Sequence, residues 1–146
     1  MKAGRPVPCA MWADEVKEDK GYPDDMRVLM PNKKLRKHLV DCLRDYYEHQ
    51  DKKVVVGALK AIGDYYKLPG PRLHLTHFVF SDCLGFTSEN GQITMMHPDA
   101  WARRRSTNTE EDWIEVFLHE LGHWYLWANA EKKADEFATQ WWHGFD

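Results

Sequence analysis

Apolar positions follow two periods along this chain, and the change between them outlines a fold. Leu35, Leu39, Leu43 and Tyr46 recur at helical spacing after Pro31, which predicts a first helix. Ala58, Leu59, Ile62, Tyr65 and Tyr66 repeat in the same way between Lys53 and Lys67. Val54-Val55-Val56 would also suit the opening of a strand, but the repeat behind them favours a second helix. Leu68-Pro69-Gly70-Pro71 ends it. The period then falls to two. Leu73, Leu75, His77 and Val79 alternate with His74, Thr76 and Phe78, as in a strand. Cys83 to Ser88 is a second short strand. Asn90-Gly91 offers a hairpin turn, because both residues accept positive φ. Gln92 to Met96 returns as a third strand, stopped by Pro98. Together these predict a small antiparallel sheet. Trp113, Phe117 and Leu121 then restore the helical period on a half-buried helix. Thr107 or Thr109 can cap its start, and Asp112 stands three residues after Thr109.

The regions outside these patterns are polar or irregular. Pro6, Pro8, Pro23 and Pro31 punctuate residues 1–31, which predicts an extended N-terminal arm. Residues 32–146 then form one domain, as 146 residues leave little room for a second core. Lys33, Lys34, Arg36 and Lys37 read as a solvated helix face rather than a phosphate site. Arg103-Arg104-Arg105 reads as a basic loop, solvated by default, with weak support for nucleic acid. The chain carries −3, and nine acids against two bases leave −7 in residues 106–146, so residues 1–105 carry +4. That balance argues against a general nucleic-acid coat. No apolar run approaches a membrane span, and no signal-peptide core is visible near the start, so a cytoplasmic protein is expected. Cys9, Cys42 and Cys83 make no CxxC pair or disulfide framework, whereas eight histidines leave a histidine-based metal site open.

The acidic segment carries the chemistry. His119-Glu120-Leu121-Gly122-His123 is an HExxH motif. Histidines at i and i+4 share one helix face, so both imidazoles reach one metal. The glutamate between them can act as general base toward a zinc-activated water. Zinc needs a third protein ligand. Glu131 and Asp135, again i and i+4, supply the candidates, with Glu131 on the metal and Asp135 accepting a hydrogen bond from a ligand histidine's outer nitrogen. On one uninterrupted helix Glu131 would lie about 12 Å along the axis from His123, so the chain must turn between them. Asn129 is the one good breaker there. A late turn would make Asp135 the ligand instead.

HELGH followed by ExxxD resembles the gluzincin zinc metallopeptidases. HELGHW with E-x-x-A-D-x-F-A is similar to the compact ImmA/IrrE-like peptidases, and GQITMMHP before the motif helix is more distantly similar to SprT-like proteins. The resemblance spans about Leu73 to Trp142 and is one of motifs. It implies zinc at His119, His123 and Glu131, with Glu120 as base and Asp135 behind a ligand. It further implies an α+β, minimal zincin-like domain whose HExxH helix precedes a ligand-bearing helix, and a protein or peptide substrate.

Lesser candidates accompany this reading. Tyr125, His97 and His143 are the nearest groups for stabilising an oxyanion. Cys9 as a thiolate could cap the metal in a latent form. Cys83 invites comparison with peptide deformylase, although the glycine-rich motif expected there is absent. Trp124, Trp127, Trp141 and Trp142 read as core, with an interface as the lesser reading. The expected function is zinc-dependent peptide-bond hydrolysis. The rivals are a non-catalytic zinc-containing module that binds a partner, and a zinc hydrolase acting on a small substrate.

Overall fold

The computed structural model describes residues 9–10, 30–77, 85–88, 90–104, 108–126 and 131–143, with backbone alone at 9, 10, 126, 131–133 and 143. Nearly all of the expected N-terminal arm, and Cys83, lie outside the described residues. The architecture is α+β. Strand β1 (Cys9–Ala10) is followed by helices α1 (Lys33–His49) and α2 (Lys52–Tyr66). Strands β2 (Arg72–Thr76), β3 (Gly85–Thr87) and β4 (Gln92–Met96) come next. Helices α3 (Pro98–Arg104), α4 (Glu110–Leu126) and α5 (Glu131–His143) complete it.

Local chemistry sets the helix starts. Asn32 accepts a hydrogen bond from the Leu35 N–H at 2.8 Å, and Asp51 accepts one from the Lys53 N–H at 3.0 Å. The three valines are therefore helical. Thr109, of the two threonines considered, caps α4, its Oγ1 accepting from the Asp112 N–H at 3.1 Å. Arg103 and Arg104 corrected an expectation: they end α3 rather than lying in a loop. Arg105 lies outside the described residues.

The sheet is mixed, not antiparallel as the strand pattern suggested. Its order is β1-β3-β4-β2. The Asn90-Gly91 turn does fold β3 antiparallel onto β4, with Gly91 at φ 90°. However, β2 crosses over to pair with β4 in parallel, Arg72 opposite Gln92 through Thr76 opposite Met96. A hairpin signal is local in sequence, whereas a parallel pairing of non-consecutive strands leaves no such local mark.

The core lies between α1, α2, α4, α5 and one face of the sheet. Leu39, Leu43, Tyr46, Leu59, Ile62, Ile93, Met95, Trp113, Phe117, Phe137 and Trp141 form its centre. Arg36 overturned the expected solvated face, being only 7% exposed. Its Nε donates to the Pro31 carbonyl at 3.0 Å, and its Nη1 donates to the carbonyls of Gln140 at 3.1 Å and Trp141 at 3.4 Å. Trp141 Nε1 returns a bond to the Arg36 carbonyl at 3.2 Å. The guanidinium thus meets carbonyls of the last turn of α5, where helical partners run out.

Candidate metal centre

Two indole anchors hold α4 along the sheet. Trp113 Nε1 donates to the Met96 carbonyl at 2.8 Å, at the end of β4. Trp124 Nε1 donates to the Pro69 carbonyl at 2.9 Å, beside the start of β2. His119, Glu120 and His123 lie between the anchors, facing β3 and α5 rather than solvent. His119 is 2% exposed, and Glu120 and His123 are 0% exposed. Burying three such groups together is costly unless each is hydrogen-bonded or bound to an ion.

Their geometry converges. The Nε2 atoms of His119 and His123 are 3.0 Å apart. Two imidazoles on a tetrahedral zinc, each about 2.05 Å from it, would stand about 3.3 Å apart. One ligand atom from each of His119, Glu120 and His123 falls within 4.8 Å of the others. Behind the pair, His119 Nδ1 donates to Asp135 Oδ1 at 2.7 Å. That bond fixes the proton on Nδ1 and leaves the Nε2 lone pair facing His123, the tautomer a ligand needs. The residues present could therefore hold a metal ion.

Glu120 is held from the sheet. Thr87, wholly buried at the end of β3, directs its Oγ1 to Glu120 Oε1 at 2.7 Å and to the Glu120 carbonyl at 3.1 Å. A hydroxyl carries one proton, and the shorter contact marks the carboxylate as its main acceptor. Sequence reasoning did not single out Thr87. Its only signal was a polar residue at the end of a short strand, which says nothing of what that strand faces.

Gly122 explains how α5 comes so near. A Cβ there would stand 3.2 Å from Cβ, Cγ and Cδ1 of Phe137. The glycine inside the motif lets Phe137 close onto α4, and Asp135 arrives at His119 with it.

The other expected residues fall in different places. Glu131 opens α5, and its side chain lies outside the described residues. So do residues 127–130, with Asn129, the expected breaker, among them, and the side chains of His143 and Cys9. Asp135 meets the outer nitrogen of His119 and not the space between the two Nε2 atoms. Tyr125 meets α2. Its ring stacks on Tyr66 with centroids 4.2 Å apart, and burial raises the pKa of its phenol. Its hydroxyl has no hydrogen-bond partner among the described residues. His97 stacks on His77 at 4.6 Å, and its Nδ1 accepts from the Asp99 N–H at 3.1 Å.

Compared with protein-family models, curated proteins and solved structures, the chain matches none. The functional reading therefore rests on the side chains themselves. Among the described residues, no helix is long and apolar enough to cross a membrane.

Proposed function

We propose that this chain is a zinc-dependent metallopeptidase of the HExxH kind, with a zincin-like arrangement of sheet, motif helix and following helix. One observation carries the reading: the paired Nε2 atoms at 3.0 Å, with Asp135 behind one imidazole and Glu120 set between the two histidines in sequence. His119 and His123 would hold the metal, and Glu131 is the proposed third ligand. Zinc would supply a Lewis acid for the scissile carbonyl and acidify a water.

The protein's own groups account for the rest of the chemistry. Glu120 accepts a proton from the attacking water and returns it to the leaving amine. Thr87 keeps the carboxylate in place through both transfers. Asp135 balances charge on His119 and holds its ring orientation. The substrate would be a protein or peptide, with β3 as the strand beside the site.

Replacing Glu120 by Gln removes the base and leaves the histidines. Hydrolysis of an unfolded protein substrate is expected to disappear while zinc content, measured by mass spectrometry of the metal, stays at the wild-type level. An unchanged rate would overturn the general-base role. Glu131→Ala is expected to reduce zinc content, and full occupancy in that variant would remove Glu131 from the ligand set. The near-total burial of His119, Glu120 and His123 favours one second reading, a zinc-holding module that binds a partner without cleaving it. Zinc-loaded wild type that leaves every tested substrate intact would select it.

A further inference from the structure

The sheet has a second margin, away from the metal centre. The order β1-β3-β4-β2 puts β2 at the edge. Its hydrogen bonds show which backbone groups are committed. The Arg72 N–H donates to the Gly91 carbonyl at 2.7 Å, and the His97 N–H donates to the Thr76 carbonyl at 2.7 Å. With Arg72 opposite Gln92 and Thr76 opposite Met96, parallel alternation turns Arg72, His74 and Thr76 toward β4. Leu73 and Leu75 then aim their N–H and C=O groups outward. These are strand-pairing groups with no strand beyond them among the described residues.

Beside the first half of this edge lies a groove of about 430 Å³ between α2 and the Gly70–Leu73 segment. Val55, Val56, Leu59 and Leu73 line it with apolar surface, and Val56 is 59% exposed. Its charged lining residues are Lys52, Lys60 and Arg72, and no carboxylate is among them. A second copy of this chain would bring the same three cations to the same edge, so charge opposes self-pairing and favours an anionic partner.

We propose that β2 binds an extended acidic segment of a partner protein as an added strand. Leu73 and Leu75 supply the main-chain bonds, one apolar side chain of the partner enters the groove over Val55, Val56 and Leu59, and its carboxylates face Lys52, Lys60 and Arg72. The surface is separate from the metal centre, and its use does not depend on hydrolysis.

The test uses a fluorescein-labelled ten-residue peptide of alternating Glu and Val, titrated against the zinc-loaded full chain carrying Glu120→Gln, so that the peptide stays whole. Saturable binding is expected. Combined Lys52→Glu, Lys60→Glu and Arg72→Glu should weaken it about tenfold or more, as should replacing the peptide's Glu with Lys. N-methylation of alternate peptide amides should abolish it, and that arm needs no protein variant. Absence of binding overturns the proposal, as does equal affinity for the Lys–Val peptide or for the N-methylated peptide. Sedimentation gives a further check: a dimer that Val56→Asp dissociates would assign the face to a second copy and overturn it too.

Discussion

The hydroxyl of Thr87 reaches Glu120 across 33 residues of sequence, and it is the kind of contact on which a general base depends. Thr87→Val keeps the side-chain shape and deletes the donor. Hydrolysis is expected to fall at least about tenfold with zinc content unchanged, and Thr87→Ser should restore it. Asp135→Asn keeps the size of the group behind His119 but loses its charge. Metal affinity should fall about 10–100-fold, read by competition with a chromogenic chelator. Cys42 is buried, and that burial, with Asp41 and Asp45 adding to it, raises its thiol pKa. Alkylation at Cys42, followed by peptide mass mapping, should lag well behind that of an unfolded control at pH 8. His119, Glu120 and His123 were legible because one helix turn is a local rule. Thr87 was not, because its partner lies on another element. Arg36 was misread for a related reason. It shares the face of Leu39, Val40 and Leu43, and its charge argued for solvent, while the carbonyls that accept its protons belong to the far end of the chain.

Between elements, the decisive approach is that of α5 to α4. Gly122→Ala adds a Cβ 3.2 Å from three Phe137 atoms while gaining up to about 1 kcal/mol of helix propensity. The expected result is near-neutral stability with weaker metal binding, because α5 must retreat and carry Asp135 from His119. Arg36→Met tests the other fixation of α5. Leaving the Gln140 and Trp141 carbonyls without their donor should cost about 2–4 kcal/mol in urea unfolding, far more than a surface arginine would. Helices α1 and α2 were readable from their period alone, their caps Asn32 and Asp51 emerging only in the structure. Two elements were missed: β1, a two-residue strand inside the expected arm, and α3, where Trp101 and two arginines within seven residues are too short a run to show periodicity. The antiparallel pair β3–β4 was readable from Asn90-Gly91, but the parallel seat of β2 depends on a crossover that no short-range pattern encodes.

At the scale of the whole molecule, the proposed metal couples the sheet, α4 and α5, so its removal should be felt in global unfolding. Zinc in hundredfold excess over its Kd adds about 2.7 kcal/mol to the folded state, and a chelator should lower the unfolding midpoint accordingly. The sign with pH follows from proton competition. Ligand imidazoles must be neutral to bind metal, so this increment should shrink as pH falls and be absent from the chelated protein at any pH. The α+β class and α4 were legible from hydrophobic period, the three strands described between residues 72 and 96 from period and turn residues together, and α5 only through the motif resemblance. The departures concentrate where groups distant in sequence meet: β2 on β4, Thr87 on Glu120, and Arg36 on α5.

That last contact bears on the order of events during synthesis. Arg36 is made early and Trp141 late, 105 residues apart, and neither can satisfy the other until nearly all the described chain has emerged. A nascent chain stopped before α5 would already hold His119 and His123, yet lack Asp135 and the helix that closes on Gly122. Tight metal uptake would then be among the last steps of maturation, and the appearance of bound metal on a growing chain would time the docking of α5.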